Sequence, residues 1–356
     1  MSILAHRINS ILPLSVLLLL IVGLVGCRND EKMVVGESFV LSGTIPSRIM
    51  CDSLKEQSIS LRNTYQITED TKYYKEGQDF IIDYPTGTIR RTSGSAIPDY
   101  SLHPLYGKDN FDESLLGANV DWTNEQYFVY LDYNCKSLPE FRANNQTSYL
   151  KQTRDKLQSG NTLKLVWYGN SITAGGGTTH AQWSFTNRYE KYLKKQFPQA
   201  QIQSVNLSIP GYGTTEAVSW FDGIFKDQQP DIVFIGFGMN DQCMEGNSSC
   251  SNPTVFEENL VMLANKIKTL FGADVVFFSA FPPNEQWKHN THRMEQYAAA
   301  SRQAAIATNS AYVDVFGTWQ QVLKRKDQQS LLANNINHPN DFGHWIYEQA
   351  FEAMQF

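Results

Sequence analysis

The sequence has little of what metal sites and nucleic-acid sites need. Its 356 residues include five cysteines and seven histidines, with no C-x-x-C pair and no H-E-x-x-H, which excludes a zinc module. The chain has 30 Lys and Arg and 36 Asp and Glu, which gives a net charge of −6. No stretch is basic enough to neutralise a phosphate backbone, so we do not expect nucleic acid as a partner. What is present is a 42% hydrophobic, 19% charged composition, which indicates a packed core, and a length that favours two domains.

The first thirty residues are typical of a targeting signal. Ile11 to Gly26 is an uncharged, Leu-rich run of sixteen residues that follows Arg7, whereas a membrane-spanning helix needs about twenty. A basic start, an apolar centre and small residues at the end indicate a secretory signal. The run closes on Leu24-Val25-Gly26-Cys27, which resembles the bacterial lipobox. We therefore predict a signal peptide at 1–26 and a lipid anchor on Cys27, placing the protein in the cell envelope, at the outer membrane or cell surface; a plain signal peptide with a chance cysteine is the alternative.

An exported chain can hold disulfides. With Cys27 lipidated, four of the five cysteines remain. Cys243 and Cys250 bracket a short polar loop that can close on itself, so we predict that they pair. By elimination Cys51 pairs with Cys135; buried free thiols are the alternative.

Residues 27–137 read as a small β-sandwich-like accessory domain. Short apolar runs rich in β-branched and aromatic residues, at 38–41, 80–84 and 127–133, alternate with turn signals such as Pro85-Thr86-Gly87, a pattern typical of paired strands. The region also carries aromatics that could line a sugar-binding face or lie in the core. These are Tyr100, Tyr106, Trp122 and Tyr127.

After a polar connector at 138–160, residues 161–356 follow a different pattern. Apolar runs begin near Leu163, Ile202, Asp231, Asp274 and Tyr312, each followed by a helical pattern. One predicted helix starts with Asn252 as N-cap and Pro253 in its first turn and ends at Gly272. Strands that alternate with helices predict a parallel sheet of an α/β fold, whose ligand site lies at the carboxyl ends of the strands.

Four polar motifs lie where these strands and the last loop end. They are Gly169-Asn170-Ser171 on a predicted strand-to-helix turn, Pro210-Gly211-Tyr212, Gly238-Met239-Asn240-Asp241, and Asn335-Ile336-Asn337-His338. A glycine-rich turn can cradle a phosphate, but no G-x-G-x-x-G and no Walker lysine are present, which disfavours a nucleotide.

Taken together and in this order, the motifs resemble those of the SGNH (GDSL-type) hydrolases, across about 190 residues. The resemblance implies a flavodoxin-like three-layer αβα domain, with no metal and no cofactor. It makes Ser171 the nucleophile and His338 the base. It also implies an oxyanion hole formed by the backbone N–H groups of Ser171 and Gly211 and the side-chain amide of Asn240. A serine hydroxyl needs such a base to become nucleophilic.

Two positions depart from the family pattern. Asn170 replaces the usual Asp of the first motif, and Asn335 replaces the acid three residues before His338. Three hypotheses follow: a Ser171–His338 dyad that Asn335 or a backbone carbonyl orients, a substitute acid such as Asp341, or a weak or inactive relative. We favour the dyad. The nearest competing histidine, His344, falls inside the last helical pattern and is predicted to be a packing or surface residue.

The leading hypothesis is therefore an exported, lipid-anchored serine esterase that removes a small acyl group, acetyl foremost, from a carbohydrate. A lipase or lysophospholipase of the same family is the rival enzyme, although no long apolar lid is evident. A non-catalytic carbohydrate-binding lipoprotein on a degenerate hydrolase fold is the alternative from another class. The expected partners are an acylated carbohydrate or other small ester and the membrane, and no nucleic acid.

Overall fold

A computed structural model describes residues 32–51, 54–56, 58–135, 138, 141, 144–243 and 249–356. The predicted signal peptide at 1–26 and the predicted lipid anchor on Cys27 lie outside the described residues. Within the described ranges, no helix is long and apolar enough to cross a membrane.

The first part of the described chain is rich in β-structure, as the alternating runs predict. One antiparallel sheet has the order β1-β7-β3-β4, formed by β1 (Lys32–Val40), β7 (Phe128–Cys135), β3 (Ser60–Arg62) and β4 (Tyr73–Tyr74). A second has the order β2-β6-β5, formed by β2 (Ser47–Arg48), β6 (Thr88–Arg91) and β5 (Phe80–Asp83). The predicted turn at 85–87 joins β5 to β6. Short 3-10 helices follow at Tyr100–Leu102, Glu113–Leu115 and Glu125–Tyr127.

The second part is an α/β fold with a parallel sheet, again as predicted. Its strands are β9 (Thr162–Gly169), β10 (Gln201–Asn206), β11 (Ile232–Gly236), β12 (Asp274–Phe278) and β13 (Ala311–Val313). All pairings are parallel in the order β10-β9-β11-β12-β13, which is the flavodoxin-like order. The central strand β11 is buried at every residue, as expected for a sheet covered by helices.

The helices connect these strands. They are α1 (Lys151–Ser159), α2 (Phe185–Gln196), α3 (Thr214–Ser219), α4 (Phe221–Phe225), α5 (Pro253–Phe271), α6 (Met294–Ala307), α7 (Val315–Leu323) and α8 (Asp341–Glu352), with 3-10 helices at Ala181–Trp183 and Gln328–Leu331. The predicted ends of α5 are confirmed: Asn252 accepts hydrogen bonds from the backbone N–H groups of Thr254 and Val255, and Gly272 ends the helix in the left-handed conformation. Near the C-terminus, strand β14 (Met354–Gln355) pairs in parallel with strand β8 (Asn144–Asn145).

Among the described residues, the β-rich part and the α/β part pack as one compact unit. Buried hydrophobic residues of both parts form a common core. A fully buried ion pair joins them, with Lys326 Nζ 2.9 Å from Glu37 Oε1, and Lys326 also donates to the backbone carbonyl of Ser38. The predicted division at 137 and 160 stays a prediction, but the two parts share a single interior.

Both predicted disulfides are present. Cys51 is bonded to Cys135 at the end of β7, with a Cα–Cα distance of 5.9 Å, and Cys243 is bonded to Cys250 with a Cα–Cα distance of 5.3 Å. The first ties two segments of the β-rich part across 84 residues of chain, and the second closes the loop that follows β11.

Candidate active site

Ser171 lies on a tight turn directly after β9. Asn170 is buried, and its side-chain oxygen accepts a hydrogen bond from the Ile172 N–H at 3.1 Å. Backbone bonds from Ala174 to Asn170 and from Gly176 to Ser171 close the turn. An asparagine oxygen suffices for this acceptor role, so the missing Asp of the first motif is replaced without loss of the turn. Ser171 lies between β9 and α2, as predicted, but the connection is longer than a tight turn, because the chain continues in turns and α2 begins only at Phe185.

The structure brings the predicted nucleophile and base together. His338 Nε2 lies 2.7 Å from Ser171 Oγ, a hydrogen-bond distance suited to proton transfer. Two glycines allow this approach: a Cβ on Gly176 would come within 2.9 Å of both the His338 ring and the Ser171 carbonyl oxygen, and a Cβ on Gly177 would collide with the Pro339 carbonyl. Burial lowers the pKa of His338 below its ordinary value, so the ring is neutral at neutral pH.

The residue that contacts the other ring nitrogen is Asn334, and the prediction of Asn335 is wrong. Asn334 Nδ2 lies 2.7 Å from His338 Nδ1. Asn335 has a positive φ of 54°, which turns its side chain away from the ring. Its Oδ1 instead accepts hydrogen bonds at 3.3 Å from Tyr100 Oη, Asn124 Nδ2 and Asn284 Nδ2. The family's motif spacing favours Asn335 as the residue that contacts the ring. The sequence does carry a signal for Asn334, because adjacent asparagines such as Asn334 and Asn335 often form Asx turns and adopt the left-handed conformation.

Neither Asp341 nor His344 takes part in this contact. Asp341 accepts hydrogen bonds from the backbone N–H and the hydroxyl of Thr179, and burial raises the pKa of its carboxyl; it does not act as the substitute acid. His344 is buried in α8, bonded to the Gly176 carbonyl and the Phe185 N–H, and burial lowers its pKa to about 3. His344 is therefore a packing residue, and the prediction had left packing and surface roles open. Its hydrogen bond to the Gly176 carbonyl stabilises the turn at Gly176 and Gly177.

The predicted oxyanion donors lie at the ends of three neighbouring strands, β10, β9 and β11. The loop after β10 runs along the end of β9, because the Ile209 N–H bonds the Gly169 carbonyl at 3.0 Å. Gly211 follows on this loop with φ of 82°, and a Cβ there would meet nothing within 4 Å. Within the part of the chain that the structure describes, the backbone N–H groups of Ser171 and Gly211 have no acceptor. Asn240 uses one amide proton on the Tyr212 carbonyl at 2.9 Å, which leaves its second proton for a substrate oxygen.

Asp241, next to Asn240, joins two of these loops. It is fully buried and accepts hydrogen bonds from the Thr214 N–H, the Thr214 hydroxyl, the Gly238 N–H and the Ser251 hydroxyl. Burial raises the pKa of its carboxyl, and these donors oppose the rise. Its four bonds fix the loop that carries Asn240 against the start of α3, so Asp241 positions Asn240, one of the predicted oxyanion donors.

A cleft of about 320 Å³ lies beside the loop at 333–339, which carries His338. One wall comes from the β-rich part and holds Tyr65, Phe128 and Tyr130; the other comes from the α/β part and holds Gly177, Thr179, His180 and Asp341. The aromatics singled out by sequence lie elsewhere: the Tyr100 ring is buried and packs edge-on against Tyr106 and Tyr127. Among the described residues, no group of three or more His, Cys, Asp or Glu could hold a metal ion.

Comparisons with known proteins identify the family of the α/β part. Residues 167–346 match the GDSL-like Lipase/Acylhydrolase family. The chain is 26% identical over 208 residues to an acetylxylan esterase of Geobacillus stearothermophilus, covering 55% of this chain and 94% of that protein. It is 27% identical over 180 residues to the uncharacterized lipoprotein YqeF of Bacillus subtilis (strain 168), covering 49% of this chain and 71% of that protein.

Solved structures of esterases are also similar. A two-domain esterase (CEX) active on acetylated mannans, co-crystallized with mannopentaose, is 22% identical with a TM-score of 0.48; the match covers 59% of this chain and 53%, about half, of that one. Axe2, an acetylxylan esterase from Geobacillus stearothermophilus, is 25% identical with a TM-score of 0.47, covering 53% of this chain and 92% of that one. Because the family match spans half of the sequence, the chain belongs to the GDSL-like lipase/acylhydrolase family and is a carboxylic ester hydrolase.

Proposed function

We propose that this protein is a serine esterase that removes small acyl groups, acetyl foremost, through an acyl-enzyme on Ser171. The observation that carries the proposal is the 2.7 Å contact between Ser171 Oγ and His338 Nε2. Among the described residues, the backbone N–H groups of Ser171 and of Gly211, on the neighbouring strand-end loop, have no acceptor. Acyl transfer needs a nucleophile, a base and hydrogen-bond donors that are free to bind the oxyanion.

The chemistry follows from these positions. Ser171 Oγ attacks the ester carbonyl carbon while its proton passes to His338 Nε2. The carbonyl oxygen becomes an oxyanion and accepts hydrogen bonds from the N–H groups of Ser171 and Gly211 and the free amide proton of Asn240; one such donor is worth about 3 kcal/mol of barrier. The C–O bond then breaks, and His338 returns the proton to the leaving alcohol. Water then attacks the acyl carbon while its proton passes to His338 Nε2. The bond from the acyl carbon to Ser171 Oγ breaks, His338 returns the proton to Ser171 Oγ, and the acid is released.

The proposed substrate is an ester on a carbohydrate. The related acetylxylan esterase favours an acetylated glycan, and the cleft beside the His338 loop has the mixed lining that sugars need, aromatic rings for their CH faces and polar groups for their hydroxyls. Tyr130 is 5% exposed, and within the described residues its hydroxyl has no hydrogen-bond partner. A nearly buried hydroxyl on a cleft wall is available to bind a substrate hydroxyl.

Hydrolysis assays on residues 28–356, which retain the whole compact unit, test the esterase proposal. Acid should be released from p-nitrophenyl acetate, and more slowly from long-chain esters. Ser171→Ala should remove all release above background. Full activity in Ser171→Ala would refute the mechanism, and a preference for long acyl chains would indicate a lipase instead.

The carbohydrate proposal has a separate test. Acetate release from acetylated xylan and acetylated mannan should exceed release from triacetylglycerol at equal ester concentration. Tyr130→Phe removes only the hydroxyl, so it should raise KM for the acetylated glycan about tenfold, the loss of one hydrogen bond, and leave kcat/KM for p-nitrophenyl acetate unchanged. Equal effects on both substrates would remove Tyr130 from the glycan site.

We further propose that the mature protein is exported and anchored through lipid on Cys27. The sequence match to a lipoprotein and two disulfides, which persist in oxidising compartments, support export. Globomycin-sensitive processing and labelling with a radioactive fatty acid should both be lost in Cys27→Ser. Persistent acylation of that variant would refute the anchor.

A further inference from the structure

Asn334 is held in one orientation by the backbone of its own loop. Its Oδ1 accepts hydrogen bonds from three consecutive N–H groups, those of Ile336 at 3.1 Å, Asn337 at 2.9 Å and His338 at 2.9 Å. The amide oxygen can accept hydrogen bonds from N–H groups, and the amide nitrogen cannot. A flip of the Asn334 amide would therefore place its NH₂ group opposite all three N–H donors, with three hydrogen bonds lost. The NH₂ group therefore faces away from this turn.

The two protons of that NH₂ group both have acceptors. One points at Asn337 Oδ1, 3.0 Å away, and the other at His338 Nδ1, 2.7 Å away. A neutral imidazole carries one N–H and one lone pair. Because Nδ1 receives a hydrogen bond, it holds the lone pair, and the ring proton lies on Nε2, directed at Ser171 Oγ.

We infer that Asn334 holds resting His338 in the tautomer that cannot accept the serine proton, and that this residue sets a low rate for the esterase. The inference rests on the proposed function for its effect on turnover and on geometry alone for the tautomer. Before Ser171 can react, the ring proton must leave Nε2 for solvent and a proton must be taken up at Nδ1. The Nδ1–H formed in this way then faces an amide N–H, with a hydrogen bond lost.

Among the described residues, no charged side chain bonds to the His338 ring, and burial alone shifts its pKa. Asp341 and His344 of α8 are bonded elsewhere, to Thr179 and to Gly176 and Phe185. A doubly protonated ring would also place Nδ1–H against the Asn334 amide. Asn334 thus opposes both the active tautomer and the imidazolium that forms during attack.

Asn334→Asp is the sharpest test. The two residues have the same shape, and one carboxylate oxygen can keep all three backbone N–H donors while the other accepts Nδ1–H and adds a negative charge beside the imidazolium. We expect kcat to rise at least tenfold with little change in KM, since the reverse substitution in a serine protease costs about ten-thousandfold through the wrong tautomer.

Asn335→Asp is the matched comparison. It adds the same charge one residue away, at the position where the family's motif spacing has an acid. Asn335 Oδ1 already accepts from three donors, so a carboxylate is accommodated there without touching His338. A rise in kcat for Asn335→Asp that equals or exceeds the rise for Asn334→Asp would overturn the inference.

Nitrogen NMR of the histidine rings measures the tautomer without reference to activity. The signals of His338 are assigned as those that disappear in His338→Gln. In the wild-type protein at pH 7, Nδ1 should be unprotonated and Nε2 protonated, and Asn334→Asp should reverse the two. A protonated Nδ1 in the wild type refutes the inference even if the enzyme is active. If no variant hydrolyses any ester, the proposed function fails while the tautomer result still stands.

Discussion

At the scale of single residues, the feature that sets this site apart is that His338, the proposed base, has no carboxylate partner among the described residues. Its Nδ1 partner is the neutral amide of Asn334, and burial alone accounts for its lowered pKa. A carboxylate at that place would raise the pKa of the ring and stabilise its charged form. The base is therefore weak and is neutral over a wide range of pH.

This environment predicts the acid limb of the pH–rate profile. The base works only when neutral, and its pKa in the folded protein lies below the ordinary value of about 6.5. The midpoint of the acid limb should therefore lie below pH 6.5. The measurement is kcat/KM for a small acetyl ester between about pH 4 and 8, with circular dichroism at each pH to confirm that the protein is folded. An acid limb at or above 6.5 would contradict the account, and Asn334→Asp should move the limb upward.

Sequence patterns are sufficient to find Ser171 and His338, because motif order and strand ends fix where these residues lie. They are not sufficient to find Asn334. The choice between two adjacent asparagines depends on the left-handed backbone of Asn335 and on three backbone N–H groups that capture the Asn334 oxygen. Such details depend on the folded loop and leave no periodicity in the sequence.

At the scale of elements, glycine turns determine how closely the strand-end loops approach one another. The turn after β9 and the loop at 333–339 meet at Gly176 and Gly177, where no side chain fits. The parallel strands and α5 were predictable from apolar runs and capping residues. The start of α2 was not, because the chain after Ser171 forms turns bonded within themselves and to the His338 loop.

Gly177→Ala tests this close approach. Gly177 has φ of 95°, and an added Cβ would press on the Pro339 carbonyl and reach 3.1 Å from His338 Cβ. A displacement of His338 by about 1 Å should lower kcat roughly a hundredfold. The control is Gly223→Ala in α4, where a Cβ meets nothing within 4 Å; it should keep full activity and gain up to about 1 kcal/mol in the free energy of unfolding. Equal activities for the two variants would refute the role of the turn.

At the scale of the whole molecule, the β-rich part is a structural component of the catalytic unit. The Ser38 hydroxyl donates to the Ser330 carbonyl across 292 residues of chain. Asn124 donates to the Gln329 and Leu332 carbonyls, just before the His338 loop. Composition and strand patterns predict a β-rich region followed by an α/β region, and the structure has both. The shared core was not predictable, because hydrogen bonds between residues so far apart in sequence leave no local pattern.

Unfolding should therefore be a single event. Differential scanning calorimetry of residues 28–356 should give one transition whose calorimetric and van't Hoff enthalpies agree. Residues 161–356 alone lose the Lys326 and Asn124 bonds and expose apolar residues that share a core with the β-rich part. Because that apolar surface is stabilising only when it is buried, this fragment should not fold. Two separated transitions, or a folded and active fragment, would contradict a shared core.

The central claim is that Ser171, activated by His338, is the residue that becomes acylated. The most direct measurement is the intact mass and peptide map of the protein after reaction with a small p-nitrophenyl alkylphosphonate, which transfers its phosphonyl group to an activated serine and releases p-nitrophenol. We predict one adduct, on Ser171, formed faster in Asn334→Asp and absent from Ser171→Ala. An adduct on another residue, or equal labelling of Ser171→Ala, would contradict the account.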